Sequence, residues 1–199
     1  MKKWIPVIII LAVVLIAGAY LANLNNKLVP LDENVQQQWG NVESSYQRRA
    51  DLIPNIVSTA QRYAEFEQET LTKVIEARSK ATSVTIDPTN ITPEKMAQFQ
   101  EVQGGLTSAL ARLLAVFERY PDLKANENFK ELINELERTE NRINVERNRY
   151  NEVVNPYNVT VNKFPAKMFV GLIGFEEKPY YKAEEGSDEA PDVETLFNR

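Results

Sequence analysis

The strongest constraint on the fold is a regular apolar repeat between residues 126 and 164. Every seventh residue of this stretch is large and apolar, and the repeat consists of Phe129, Leu136, Ile143, Tyr150, Tyr157 and Phe164. This period is typical of a long helix packed against other helices and excludes a strand. Asn126 is placed to cap the helix, and Glu127 lies next to the positive end of its dipole. Pro156 predicts a kink or an end.

A second repeat on the same helix, the asparagine stripe, steps by three and four residues. Its members are Asn141, Asn144, Asn148, Asn151, Asn155, Asn158 and Asn162. At about 100° per residue they form one line roughly opposite the apolar seam. Asn costs a helix up to about 0.7 kcal/mol relative to Ala, so Glu or Lys would serve a solvated face better. The stripe is either a solvent-exposed surface that reflects a bias in amino-acid composition, or a polar contact face for another helix or subunit.

Two residue types are absent from the 199-residue chain, cysteine and histidine. Their absence excludes thiol nucleophiles, disulfides, Ser-His and Cys-His pairs, and metal or haem sites that use these ligands. A net charge of −5 argues against a nucleic-acid partner. We expect no cofactor and no bound metal.

An uncharged apolar run from Ile5 to Ala22 predicts a transmembrane helix. Its 18 residues span about 27 Å as a helix, close to the roughly 30 Å hydrocarbon thickness, and Trp4 lies at one end. We interpret residues 1–29 as a cytoplasmic N-terminus and a retained membrane anchor. The alternative is a signal peptide cleaved near Ala17-Gly18-Ala19. Because Lys2 and Lys3 precede the run, the positive-inside rule places the body outside the cytoplasm.

The next apolar seam extends from Val35 to Val74 with steps of three and four residues. After Pro30, Asp32 is a candidate N-cap. Pro54 interrupts the seam, so we expect either one kinked rod or two collinear helices that end near Ala81.

A third helix begins at Thr92-Pro93-Glu94, which combines a hydroxyl cap, a first-turn proline and an acid. Its apolar seam is interrupted only by Gln103, and Pro121 ends it. Gly104 and Gly105 in mid-helix each cost about 1 kcal/mol relative to Ala, which suggests close approach of a neighbouring backbone. The three seams predict an all-α fold for residues 30–164, an elongated antiparallel up-and-down bundle of three to four long helices behind one N-terminal transmembrane helix.

The chain changes character after the bundle. Residues 165–175, the apolar strip, include Phe169 and Phe175 and are too short to span a bilayer. We expect them to close the bundle or to contact the membrane or a subunit. Residues 176–199 are acidic and predict a flexible tail, in which residues 177–181 are a candidate for a short docking strip.

Charged residues near the seams are the only candidates for chemistry. They are Arg48, Arg49, Asp51, Glu67, Arg78, Glu118, Glu140 and Arg147. A di-metal site in a bundle needs a Glu-x-x-His pair, and the chain has no histidine. We therefore interpret these residues as salt-bridge partners and expect no catalytic residue. A carboxylate enzyme using Asp51 or Glu140 is a remote alternative.

Two motifs in the chain, RRADLIPN at residues 48–55 and YPDLKAN at residues 120–126, resemble the LemA family of bacterial membrane-anchored proteins. The motif residues we single out are Arg48, Arg49, Asp51, Pro54, Asn55, Tyr120, Pro121, Tyr150 and Asn151. The likeness covers roughly residues 30–175. Phe66 departs from it, because many members carry His in a YAxHE segment.

The resemblance implies a long all-α bundle behind one membrane helix, without a settled enzymatic activity. Relatives are associated with membrane organisation, including formation of magnetosome membranes, and some are encoded beside a membrane metalloprotease. We predict a non-catalytic scaffold in the bacterial cell membrane that contacts the bilayer and self-associates or holds another envelope membrane protein. Its contact surfaces would be the asparagine stripe, the Gly104-Gly105 pair and the apolar strip. An extracytoplasmic ligand-sensing bundle is the alternative.

Overall fold

The computed structural model describes residues 4–62 and 67–182, and the secondary structure of this part is entirely helical. The long helices are α1 (Ile5–Ala60), α2 (Gln68–Ser83), α3 (Pro93–Phe117) and α5 (Glu127–Asn162), with the short α4 (Pro121–Lys124) between the last two. Two 3-10 helices follow, Ala166–Met168 and Val170–Ile173. The predicted all-α class is confirmed. The departure at Phe66 lies outside the described residues.

Helix α1 continues through both of its internal prolines. Its 56 residues run from the apolar N-terminal stretch into the bundle without a break at Pro30 or Pro54. The predicted new helix start after Pro30 is therefore wrong. Of the two alternatives at Pro54, the division into two helices is wrong, and one helix continues through the proline. An internal proline costs about 3 kcal/mol, but close to Pro54 the helix buries Ile53, Ile56 and Val57, and burial of such side chains is worth about 1.5–3 kcal/mol each.

Helix α2 folds back along α1 and does not continue it. The Arg78 side chain on α2 donates a 2.7 Å hydrogen bond from Nε to the carbonyl oxygen of Ala50 on α1, so the two helices form an antiparallel pair. The expected collinear arrangement ending near Ala81 is wrong. Helix α3 then runs parallel to α1, and α5 runs antiparallel to it along the part of α1 that begins at Leu24, which completes an up-and-down bundle of four long helices.

The bundle interior is divided into two apolar clusters. The lower cluster, nearer the N-terminal stretch, surrounds Trp39, whose ring lies edge-on to the rings of Phe99 at 5.2 Å and Tyr150 at 5.5 Å between centroids. The upper cluster includes Leu71 and Leu113. Because α2 ends at Ser83, the lower cluster takes Ile86 and Ile91 from the α2–α3 connection instead of from a fourth helix.

The helix starts follow the predicted capping chemistry. The Thr92 hydroxyl accepts a hydrogen bond from the Lys95 amide at 3.3 Å, and the Asn126 side chain accepts one from the Phe129 amide at 3.0 Å. These two starts are confirmed. Pro156 lies inside α5, which continues to Asn162, so an end at Pro156 is excluded.

Candidate functional site

The asparagine stripe on α5 is used unevenly by the chain. Asn158 is buried and Asn151 is partly buried, whereas the remaining members, Asn141, Asn144, Asn148, Asn155 and Asn162, are exposed. The two covered asparagines lie seven residues apart and face residues 176–182, here called the docked segment. This segment lies along α5 in extended form, although we expected it to begin a flexible tail.

Each covered asparagine binds both backbone groups of one residue in the docked segment. The Asn158 side chain donates to the Lys178 carbonyl oxygen at 2.8 Å and accepts from the Lys178 amide at 2.9 Å. The Asn151 side chain does the same with Tyr181, at 2.9 Å and 2.7 Å. In a β-sheet the neighbouring strand would form these two backbone hydrogen bonds. Here the side-chain amide of an asparagine forms them, so the backbone groups of Lys178 and Tyr181 have partners without a second strand.

The tyrosine that precedes each of these asparagines adds a third hydrogen bond. The Tyr157 hydroxyl donates to the Glu176 carbonyl oxygen at 2.7 Å, and the Tyr150 hydroxyl donates to the Pro179 carbonyl oxygen at 3.1 Å. Seven helical residues rise about 10.5 Å, and three extended residues advance about 10 Å. The repeated Tyr-Asn dipeptide therefore matches the spacing of an extended backbone.

Side chains of the docked segment also contact the rest of the bundle. Lys178 is buried with Nζ 3.0 Å from Oδ1 of Asp32 on α1, so the residue expected to cap a helix pairs with this lysine instead. The Tyr181 hydroxyl lies 2.5 Å from the Tyr46 hydroxyl. Arg147 donates to the Tyr46 hydroxyl at 2.8 Å and stacks on the Tyr181 ring, 4.6 Å from its centroid. The segment is thereby joined to both α1 and α5.

The tyrosines around the docked segment are held in their neutral form. Burial raises the pKa of the hydroxyls of Tyr150, Tyr157 and Tyr181 well above the ordinary value. Burial also raises the pKa of Tyr46, against the lowering effect of the nearby Arg147 guanidinium. Their hydrogen-bonding roles as neutral hydroxyls therefore persist across the physiological pH range.

A polar layer made of the buried Arg49 and Gln103 and the partly buried Thr107 and Glu140 lies where the two apolar clusters meet. The Arg49 guanidinium is fully buried and bonds to Glu140 at 2.9 Å, to the Thr107 hydroxyl at 2.8 Å and to the Gln103 side chain at 2.8 Å. Gln103, which interrupts the apolar seam of α3, thus serves as a hydrogen-bond partner of Arg49. Glu140 forms a salt bridge with Arg49, as predicted. A charge at this depth fixes the relative heights of α1, α3 and α5.

The other motif residues lie at surface and turn positions. Arg48 pairs with Glu135 at 2.5 Å, and Asp51 accepts a hydrogen bond from Gln47 at 2.8 Å on an exposed face. The carbonyl oxygen of Asn55, just after Pro54, accepts from the Thr59 hydroxyl at 2.8 Å. Tyr120 and Pro121 form the start of α4. Tyr150 and Asn151 are the motif residues that hold the docked segment.

The two predicted close-approach glycines have open space around them. A Cβ atom added at Gly104 or Gly105 would meet no atom within 4 Å in the described part of the chain. The close approach of a neighbouring backbone that this pair predicts is therefore absent from the described bundle. Both residues are free of intrachain packing on that side.

The apolar strip folds as the two 3-10 helices beside the lower part of α1. Ala166 and Val170 are buried in the lower cluster, and Phe175 packs partly against it. The Phe169 ring meets the Tyr20 ring edge-on at 6.1 Å between centroids. Gly174, with a φ of 80°, then reverses the chain into the docked segment. A cleft of about 450 Å³ lies between this turn, Asp32 and the α2–α3 connection.

The N-terminal part of α1 stands apart from the bundle. Residues 4–19 are exposed, and Leu24 is the first buried residue of the helix. By length and composition this part of α1 is suited to cross a membrane. The described residues contain no cluster of three or more acidic side chains arranged to hold a metal ion.

These features define an all-α, up-and-down bundle whose first helix carries an apolar extension long enough to span a bilayer. Residues 38–195 match the LemA family, and the chain belongs to that family.

Curated relatives of the chain include LemA and MamQ proteins. The chain is 27% identical over 118 residues to Protein LemA of Metamycoplasma hominis, covering 59% of this chain and 50% of that protein. It is 25% identical over 199 residues to Magnetosome protein MamQ 2 of Paramagnetospirillum magneticum, covering 92% of this chain and 73% of the relative. It is 25% identical over 204 residues to Magnetosome protein MamQ of Magnetospirillum gryphiswaldense, covering 92% and 75%. The chain thus spans half the length of the LemA relative.

Proposed function

We propose that this protein is a single-pass, membrane-anchored helical scaffold that works by contact with other proteins and not by catalysis. The observation that carries this proposal is the unbroken helix α1, which passes from the exposed apolar stretch into the buried core with no linker. A bundle joined to its anchor in this way is held at a fixed distance from the bilayer, as a scaffold requires.

The proposed orientation places the N-terminus in the cytoplasm and the bundle on the other side of the bacterial cell membrane. Lys2 and Lys3 precede the span and only Lys27 closely follows it. The MamQ relatives are named as magnetosome proteins, which supports a role at a membrane. None of the relatives' names denotes an enzyme.

The upper part of the asparagine stripe is the proposed contact surface for a second copy or another envelope membrane protein. Asn141, Asn144 and Asn148 are exposed in the described structure, and Val145 between them is 46% exposed. Amide groups that bind a backbone at Asn151 and Asn158 are chemically able to bind another polypeptide here. The open side of Gly104 and Gly105 is a second proposed contact.

Native mass analysis of the full chain in mild detergent tests this proposal. We expect oligomers or a co-purifying membrane protein, and loss of these species when Asn144→Glu and Asn148→Glu place two charges on the surface. The matched control is Thr72→Glu with Ser79→Glu, two exposed positions on α2. A monomer without a partner in native membranes, or equal loss in both double variants, would refute the contact surface.

The alternative is a ligand-sensing bundle, for which the 450 Å³ cleft beside Lys178 is the relevant observation. Binding of small molecules to the full chain in detergent, abolished by filling the cleft with Thr89→Trp, would favour this alternative over the scaffold.

A further inference from the structure

We propose that the apolar side chains exposed between residues 164 and 172 insert into the bilayer that holds α1, as a second membrane contact of the same chain. This inference rests on the proposed function, because it requires that the N-terminal part of α1 spans a membrane. The occupant of this exposed surface is lipid, and the next paragraphs give the position, exposure and charge that support it.

The position of the strip follows from its contact with α1. A span of about 20 helical residues is needed for a bilayer core, and counting from Ile5 this reaches Leu24, the first buried residue of α1. Tyr20 therefore lies near the boundary between hydrocarbon and headgroups, where tyrosines are enriched. The Phe169 ring is 6.1 Å from the Tyr20 ring. The two 3-10 helices are thus at the level of the membrane surface.

Three apolar side chains between residues 164 and 172 are more exposed than any other large apolar side chain that the structure describes C-terminal to the span. Phe164, Met168 and Leu172 are 83%, 67% and 76% exposed, whereas the exposed aliphatic side chains of the bundle, such as Val145 and Val159, are 46% and 48% exposed. Single exposed apolar residues are normal on soluble surfaces, but three within nine residues form a patch that calls for a partner.

The packing of the strip leaves these three side chains available. Ala166 and Val170 are buried against the lower cluster and hold the 3-10 helices in place. The exposed residues are four positions apart and are not used by this packing. A structural role inside the bundle therefore accounts for the buried residues of the strip but not for the exposed ones.

The charges around the strip fit a membrane surface. Lys163 and Lys167 are exposed next to the three apolar side chains, and Lys27 is exposed on α1 just beyond the proposed span. Lysines at this level place their apolar stems along the bilayer and their ammonium groups among the phosphates. Apolar residues alternating with lysines are typical of segments that lie in the interface.

The experiment uses single cysteines in the full chain, which contains no native cysteine. A fluorophore is attached to Leu172→Cys or, independently, to Phe164→Cys, and the protein is inserted into phosphatidylcholine–phosphatidylglycerol vesicles that carry a quencher on the lipid. Val14→Cys in the span and Val145→Cys on the bundle are the two reference sites. All four positions are exposed, so labelling leaves the core intact.

The inference predicts lipid quenching at positions 172 and 164 within about twofold of position 14, with position 145 essentially unquenched. Quenching at position 14 alone would overturn the second membrane contact while the anchor stands. Failure of quenching at position 14 would overturn the proposed anchor itself. Pyrene excimer emission from Leu172→Cys without lipid quenching would show that a second copy covers the strip, and would also overturn the inference.

Discussion

The side-chain amide of Asn158 binds both backbone groups of Lys178, at 2.8 Å to the carbonyl oxygen and 2.9 Å from the amide nitrogen. Asn151 repeats this arrangement with Tyr181 one heptad earlier on α5. Both asparagines bind backbone atoms of the docked segment, so these hydrogen bonds do not depend on which side chains the segment carries. A repeated Tyr-Asn dipeptide on a helix is therefore a device for holding an extended chain.

Asn158→Ala should release the docked segment. The substitution leaves the Lys178 amide and carbonyl groups without their partner, which costs about 1–3 kcal/mol when such groups are buried. We expect amide hydrogen exchange at Lys178 and Tyr181 to accelerate by tenfold or more while exchange in α2 is unchanged.

The control for this change is Asn162→Ala, which alters an exposed member of the same stripe. Its effect on exchange in the docked segment should be negligible. Equal acceleration in the two variants would mean that the asparagines act through helix stability and not through backbone binding.

Glu140→Ala should be destabilising because it leaves the buried Arg49 charge without its counter-ion. Removing one partner of a fully buried ion pair costs about 3–5 kcal/mol. Because the Glu140 side chain is 34% exposed, we expect a smaller loss of about 1–3 kcal/mol. Guanidinium titration of the detergent-solubilised protein, followed by Trp39 fluorescence, measures the change in the free energy of unfolding.

Glu135→Ala is the matched surface control, since its partner Arg48 is exposed and such pairs contribute about 0–1 kcal/mol. Replacing both members of the Arg49–Glu140 pair, as Arg49→Met with Glu140→Leu, should recover much of the lost stability. Equal losses in Glu140→Ala and Glu135→Ala would contradict the proposed importance of the polar layer.

The folded protein should lose stability at alkaline pH. Burial raises the pKa of Tyr46 and Tyr181 above the unfolded value of about 10. Above that pH the unfolded chain releases these protons while the folded chain retains them, so unfolding becomes more favourable as pH rises. The contribution is fully present below pH of about 10 and is lost as the pH approaches the folded pKa.

Thermal unfolding midpoints as a function of pH measure this effect. In Tyr181→Phe, which cannot ionise at this position, the decline above pH of about 10 should be shallower than in the parent protein. An identical slope in both proteins would show that this hydroxyl titrates normally in the folded state.

Gly174→Ala should strain the turn between the apolar strip and the docked segment. The φ of 80° at Gly174 is left-handed, and a residue with a Cβ pays about 1–2 kcal/mol for it. Faster hydrogen exchange at Lys178 is the expected readout. Gly171→Ala is the control, because a Cβ there meets open space and the backbone has no positive φ. Unchanged hydrogen exchange at Lys178 in Gly174→Ala would mean that the turn adopts another backbone conformation without strain.

The parts of the fold that follow from local sequence were predictable. The caps at Thr92 and Asn126 and the heptad seam of α5 from Phe129 to Tyr157 depend on neighbouring residues, and the structure confirms them. The last predicted member of the seam, Phe164, lies beyond the end of α5 and is exposed, so that part of the prediction is wrong. The path of α1 through Pro30 and Pro54 was not predictable in this way. It depends on burial of flanking residues against α5, α2 and α3, which a proline rule applied to one helix leaves out.

The candidate site shows the same division. The spacing of the asparagines gave two interpretations of this face of α5, a solvated surface or a polar contact face. It did not show that Asn151 and Asn158 bind the chain's own residues 176–182. The acidic composition of residues 176–199 led to the prediction of a flexible tail, although Tyr180 and Tyr181 are residues that could pack against the bundle. A signal was nevertheless present, because Tyr150-Asn151 and Tyr157-Asn158 repeat the same dipeptide after seven residues.

Because one helix forms both the proposed span and part of the core, the number of residues between Tyr20 and Leu24 sets the rotation of the bundle about the axis of α1. Each residue turns a helix by about 100°, so a one-residue insertion there would swing the whole bundle to a different azimuth relative to the lipid. In the proposed membrane arrangement, the length of this part of α1 therefore determines which side of the bundle faces a given direction in the membrane plane.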